Sequence, residues 1–129
     1  MSVYLDSSAV VKLIVREPES EALRSYLSSA GPLASSILTT VEVSRAVGRV
    51  ASDLGDAVAA ALAALTIIGL DAAIAARGGQ LGPAGLRTLD AIHLATALEL
   101  AGDLAAFVCY DERLASAARG LGLAVVAPA

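Results

Sequence analysis

The sequence predicts an α/β fold: a small parallel sheet with helices on both faces. Two observations point to it. Short apolar runs such as "SVYL", "TIIGL" and "AFVCY" alternate with longer amphipathic stretches. Strands that alternate with helices pair in parallel, because each crossover helix carries the chain back across the sheet. The composition agrees. Hydrophobic residues make up 57% and aromatics only 3%, so the core must be built of Ala, Val, Leu and Ile. At 129 residues the chain is expected to form a single domain, residues 1–129, with its own core.

The elements follow in order. The first strand is Val3–Leu5, and a helix runs from about Ser8 to Val15. Pro18 suits the first turn of a helix, so "PESEALRSYLSSA" reads as a second helix ending before Gly31. A short strand follows near Leu33–Ser35. "TTVEVSRAVGRVASDL" is a third helix, and Asp56 is placed to cap a fourth, "AVAAALAAL". "TIIGL" is a strand, and "DAAIAARGGQ" is a short helix stopped by Gly78 and Gly79. "LRTLDAIHLATALELA" is a long helix, with Thr88 a candidate cap. "AFVCY" is a strand, "DERLASAARG" a helix, and "LAVVA" the last strand.

Several classes are excluded. The most continuously apolar uncharged stretch, Ala57 to Leu70, has 14 residues, short of the roughly 20 that a membrane span needs. The opening "MSVYLD" lacks the basic region of a secretory leader, so a cytoplasmic location is expected. A lone cysteine, Cys109, rules out an internal disulfide and a cysteine zinc cage. The net charge of −4 argues against coating nucleic acid by bulk attraction. It leaves room for a local basic rim, or for a cation in an acidic site.

Four acids then stand out. In open α/β sheets ligands sit beyond the carboxyl ends of the strands. Asp6 and Asp111 follow strands there, and each also precedes a helix, where aspartate is a common N-cap. Asp90 shares a helical face with Leu86, Leu94, Ala97 and Ala101, which should point inward. A buried carboxylate needs a partner or a proton, although the first helical turn also favours an acid. Glu42 borders the apolar face of Val43, Val47, Val50 and Leu54; alone it reads as a surface acid pairing with Arg45. Together the four differ. Carboxylates brought close repel each other unless a cation lies between them. Oxygen donors without clustered His or Cys select a hard divalent ion, Mg²⁺ or Mn²⁺, whose usual partner is a phosphate. Activation of water and offset of leaving-group charge by such an ion is the chemistry of a nuclease.

The same residues resemble a known family. The chain is similar over essentially its whole length to PIN domains, and more closely to the VapC-type toxin ribonucleases of bacterial toxin–antitoxin pairs. Four blocks carry the resemblance in order: "VYLDSSAVVKL" with Asp6, "ASSILTTVEVSRAVGR" with Glu42, "LRTLDAIHLATAL" with Asp90, and "FVCYDERLASAA" with Asp111. The resemblance implies a three-layer α/β/α sandwich with the four acids around Mg²⁺ or Mn²⁺. It implies endonucleolytic cleavage of RNA by metal-activated water, a homodimer, and an antitoxin whose tail occupies the active-site groove. One departure stands out: the family usually carries Ser or Thr two residues before the fourth acid, where this chain has Cys109. A thiol is a weak donor, which would loosen the setting of Asp111 or of a bound water.

Supporting residues are weighed beside these. Ser7 can cap a helix or serve the metal site. His93, one turn after Asp90, reads as a hydrogen-bonding structural side chain. Lys12, Arg16, Arg45, Arg49, Arg87 and Arg113 are candidate RNA contacts, with Arg45 and Arg87 foremost because each lies one turn from an acid. The few aromatics, Tyr4, Tyr26, Phe107 and Tyr110, offer no stacking platform for bases. The segments "SEALRSYL" and "AVAAALAALTIIGL" carry surplus apolar surface, which a second subunit or a partner helix is expected to cover.

Two other functions compete. An aspartyl-phosphate phosphohydrolase also places an Asp after its first strand, but needs a second Asp where this chain has Ser8. A non-catalytic PIN-like scaffold would bind RNA or a partner without cutting.

Overall fold

A computed structural model describes all 129 residues. Five strands form one sheet: β1 (Ser2–Leu5), β2 (Leu33–Ser36), β3 (Thr66–Ile68), β4 (Leu104–Val108) and β5 (Val125–Val126). Every pairing is parallel and the spatial order is β3-β2-β1-β4-β5. The helices are α1 (Ser7–Ile14), α2 (Ser20–Leu27), α3 (Ile37–Val50), α4 (Gly55–Ala63), α5 (Ala72–Gly78), α6 (Thr88–Leu98) and α7 (Glu112–Gly120). None is long and apolar enough to cross a membrane.

The side-chain period of two divides the central strands between two cores. Val3 and Leu5 of β1, with Ala106 and Val108 of β4, pack with Ala9, Val10, Leu23, Val43 and Val47 from α1, α2 and α3. Tyr4 and Phe107 point the other way and pack with Leu94, Ala97, Leu114 and Ala118 from α6 and α7. The result is the expected helix–sheet–helix sandwich. The chain leaves β1 toward β2 and β3, then crosses to β4 on the opposite side. The strand order therefore reverses beside β1, and the crevice where such sheets bind ligands opens at the carboxyl ends of β1 and β4.

Local chemistry moved several helix ends away from the expected positions. α2 begins at Ser20 and not at Pro18, because the Ser20 hydroxyl accepts the Glu17 N–H at 2.9 Å and donates to the Val15 carbonyl at 3.3 Å. Those bonds fix a turn where a helix start was expected. α3 begins earlier, at Ile37, because Ser36 caps it by accepting the Leu38 N–H. Neither Asp56 nor Thr88 caps a helix. Leu54 and Arg87 hold the cap positions, and Asp56 and Asp90 fall in the first turns, where the helix dipole favours an acid. β4 ends at Val108, so Cys109 is buried just past the strand and not within it.

The surplus apolar surface also lies elsewhere. Leu23 of α2 is fully buried, and Val58, Ala61 and Leu62 of α4 pack on the first core. The large apolar side chains left exposed include Ile37, Val41 and Val50 of α3, with Leu70 and Leu89. A short helix uses its few large residues on its own core, and the rest of α4 is alanine with Gly55 and Asp56.

Candidate active site

Asp6 follows β1 directly and is 4% exposed. Its Oδ1 accepts the Ala9 N–H at 3.0 Å, capping α1, and the Ser8 hydroxyl at 2.6 Å. Its Oδ2 receives the Cys109 thiol at 3.3 Å. Ser8 also accepts the Tyr110 N–H at 3.0 Å, so one hydroxyl ties the start of α1 to the chain leaving β4. Asp111 repeats the plan. Its Oδ1 caps α7 by accepting the Arg113 and Leu114 N–H groups at 2.9 and 3.1 Å, and its Oδ2 takes Arg87 Nη2 at 3.1 Å. Capping and a further role therefore coexist in each aspartate, on different oxygens.

Asp90 and Glu42 come from helices. Asp90 is 9% exposed, and its Oδ2 accepts Arg87 Nε at 2.9 Å. The Oε1 of Glu42 accepts the Ser7 hydroxyl at 2.6 Å and lies 2.7 Å from His93 Nε2. It does not pair with Arg45, which is exposed on the same helix. One cavity of about 320 Å³ is lined by all four acids together with Ser7, Ser8, Arg87 and His93. The sequence-predicted acids thus meet at the switch-point crevice, brought there by β1, α3, α6 and the β4–α7 connection.

The environments set the charges apart. Burial pushes the Asp6 carboxyl above its usual range, against the pull of Ser8, Ala9 and Cys109. Glu42 is also raised by partial burial, but the His93 and Ser7 bonds outweigh it and the net direction is down. The backbone N–H of Leu114, with Arg113 N–H and Arg87, holds Asp111 low. Burial, and then the charge of Asp6, pushes the Cys109 thiol far up, so it stays protonated.

The other candidates separate. Arg87 reaches into the acid pocket, while Arg45 and Arg49 do not line it. Lys12 is committed elsewhere: it pairs with Glu19 at 2.9 Å and Glu17 at 3.6 Å and lies 4.7 Å over the Tyr110 ring. Arg16 sits in a separate polar hollow with Glu17, Glu21 and Arg24. Arg113 lines an adjoining groove of about 930 Å³ that shares Arg87 and Asp90 with the acid pocket. Ser7 caps nothing and bonds Glu42 instead, so of its two readings the structure favours the site. Sequence reasoning missed Ser8 and the buried Tyr4–His93 contact. The signal was present for the second: a tyrosine inside an apolar strand and a histidine on an apolar helix face both need polar partners.

The donor set suits a hard divalent cation. It holds four carboxylates, and outside them the pocket offers hydroxyls and a histidine already engaged at both nitrogens. The acids are not closed up at ligating spacing; the Arg87 guanidinium joins two of them instead.

Comparison with known proteins gives the family of the chain. The PIN domain family model matches residues 3–120. The chain is 50% identical over 127 residues to Ribonuclease VapC46 of Mycobacterium tuberculosis, covering 98% of each. Two solved structures share the fold: the Mycobacterium tuberculosis VapC20 toxin, described as cleaving the sarcin–ricin loop (TM-score 0.74, 14% identity, 98% and 99% of the two chains), and a toxin–antitoxin complex from Klebsiella pneumoniae (TM-score 0.73, 22% identity, 98% of each). The chain belongs to the PIN-domain family, and within it to the VapC ribonucleases.

Proposed function

We propose that this chain is an endoribonuclease dependent on Mg²⁺ or Mn²⁺, and the toxin of a toxin–antitoxin pair. The observation that carries the reading is the meeting of Asp6, Glu42, Asp90 and Asp111, from four separate stretches of sequence, in one cavity at the switch point. Family membership supports RNA as the substrate.

Asp6, Asp90, Asp111 and Glu42 would hold the ion. When bound, it supplies Lewis acidity that favours attack of water on a phosphodiester and offsets charge on the leaving oxygen. The chain's own groups do the rest. Helix-capping bonds fix one oxygen each of Asp6 and Asp111, which sets the orientation of the other. Arg87, exposed along the guanidinium edge, is placed to receive a phosphate when it leaves the acids. The groove beyond it, with Arg113, offers the backbone a path out of the pocket. In this reading a cognate antitoxin covers the pocket, the chain works in the cytoplasm, and it pairs as a homodimer through the apolar residues exposed on α3.

The test is cleavage of total RNA by purified protein with Mn²⁺ or Mg²⁺ and with EDTA. Specific cuts that EDTA abolishes support the reading. Intact RNA with either ion, with no ion binding by calorimetry, would favour a scaffold. Beside the gene, a short overlapping frame for a small DNA-binding protein is expected.

A further inference from the structure

We propose that Tyr4 and His93 form a positioning relay for Glu42, in which the Tyr4 hydroxyl holds the imidazole in place at Nδ1 and the imidazole in turn fixes one carboxylate oxygen. The proposal rests on the reading of Glu42 as part of the ion- and RNA-handling pocket. Its test separates the two.

The geometry is a continuous chain from the core to the pocket. Tyr4 Oη lies 2.7 Å from His93 Nδ1, and His93 Nε2 lies 2.7 Å from Glu42 Oε1. Tyr4 is fully buried and His93 is 1% exposed, so bulk water cannot supply alternative partners. The phenol ring is held on both sides. It stacks on Phe107 with centroids 5.2 Å apart and an interplanar angle of 3°, and meets the imidazole edge-on at 6.0 Å.

The direction of the bonds follows from the chemistry. An ionised carboxylate only accepts, so Nε2 must carry the hydrogen that reaches Glu42. In a neutral imidazole the other nitrogen is then an acceptor, and the Tyr4 hydroxyl must donate to it. Burial keeps that phenol protonated, which agrees with the donor role. Glu42 therefore requires the Nε2–H tautomer, the Tyr4 hydroxyl holds the ring at the bare Nδ1, and His93 presents its single N–H to Oε1. Ser7, from α1, donates to the same oxygen at 2.6 Å. Two donors from two other helices converge on Oε1 and leave Oε2 without a protein hydrogen bond. Glutamate has three side-chain torsions, and this pair of donors removes their freedom while keeping one oxygen open. Groups that orient a ligand in this way typically change ion affinity by about 10- to 100-fold when removed.

The chain contains one histidine, so its imidazole can be read without assignment. Long-range ¹H–¹⁵N correlation on the ion-free protein should show the Nε2–H tautomer. Tyr4→Phe keeps the stacked ring and removes only the donor. It should shift the Nδ1 resonance and weaken Mn²⁺ binding by about 3- to 10-fold in calorimetry. His93→Gln retains an amide donor near the Nε2 position and should stay within about threefold of wild type; His93→Leu should lose about tenfold or more. Circular dichroism checks folding, and if His93→Leu does not fold, Tyr4→Phe still decides. A wild-type Nδ1–H tautomer overturns the proposal, as does unchanged Mn²⁺ affinity in folded Tyr4→Phe and His93→Leu. If wild type binds no Mn²⁺ and cuts no RNA, the pocket reading fails and takes the proposal's purpose with it, while the tautomer result still reports whether the relay exists.

Discussion

Arg87 donates through Nε to Asp90 Oδ2 at 2.9 Å, one helical turn before it reaches the buried part of α6. The other arm of the same guanidinium, Nη2, meets Asp111 at 3.1 Å. One cation thus spans two acids that arrive from different elements. The pocket combines four carboxylates with this one guanidinium.

Arg87 therefore competes with a divalent ion for the same oxygens. Its side chain is 55% exposed, so solvent weakens the pairs and the competition is modest. Arg87→Gln is expected to raise Mn²⁺ affinity by about 3- to 10-fold in calorimetry at low salt. The same variant is expected to bind RNA more weakly, with the slope of log K against log salt reduced by about one. Tighter RNA binding with unchanged Mn²⁺ affinity would mean that the bridge has no such role.

Asp90→Asn tests the acid at the other end of that pair. Asparagine keeps the shape and an acceptor for Arg87 while removing a charge from a crowded site. The ion-free variant is expected to melt within about 4 °C of wild type, because a half-exposed ion pair contributes little. Cleavage is expected to fall below detection. If the variant unfolds and activity tracks the folded fraction, Asp90 is a packing residue.

Asp6 gives a pH dependence of opposite sign to Asp111 and Glu42. Burial raises the Asp6 carboxyl, so the folded state holds a proton where the unfolded chain has lost it. Stability from this group therefore falls as pH rises from the ordinary carboxylate value through the raised one. Asp111 and Glu42 are held low, so their contribution is present above the ordinary value and lost as pH falls through their folded values. Asp6→Asn, which keeps a cap acceptor, is expected to melt higher than wild type at pH 7 without ions. The gain should shrink on acidification toward pH 4. A lower melting temperature at every pH would show that the hydrogen bonds to Asp6 outweigh its burial.

The sheet and its acids were legible because each rests on local pattern. Strand β1 shows period two in Val3, Tyr4 and Leu5, and Asp6 follows it in sequence as in space. Helix ends were less legible because single hydroxyls decide them. Ser20 closes a turn that Pro18 suggested was helix, and Ser36 starts α3 before its apolar period begins. Long-range contacts were not legible at all. Ser8 meets Tyr110, Tyr4 meets His93, and Lys12 lies over Tyr110, each pair joined only by the fold. Arg45 and Arg87 looked equivalent because each is one turn from an acid. α3 turns Arg45 to solvent, whereas Arg87 stands at the start of α6 and faces the acids.

Cys109 gives the last prediction, because its thiol holds the one Asp6 oxygen that no cap occupies. The Sγ lies 3.3 Å from both Asp6 Oδ2 and the Asp111 carbonyl oxygen, which share its one hydrogen, and the residue is 1% exposed. Burial and the neighbouring carboxylate keep it a thiol, and a thiol is both a weak nucleophile and a weak donor. The native protein is therefore expected to react with a disulfide reagent at pH 8 about 100-fold or more slowly than the protein in urea. Cys109→Ser places a stronger donor on Asp6 Oδ2, favouring the charged carboxylate. It is expected to tighten Mn²⁺ binding by about 2- to 5-fold, whereas Cys109→Ala, which has no donor, should weaken it by a similar factor. Equal affinities in all three proteins would reduce Cys109 to a packing residue. A wild-type thiol that reacts rapidly in the folded state would show that the Asp6 oxygen is open to solvent and not held by Cys109.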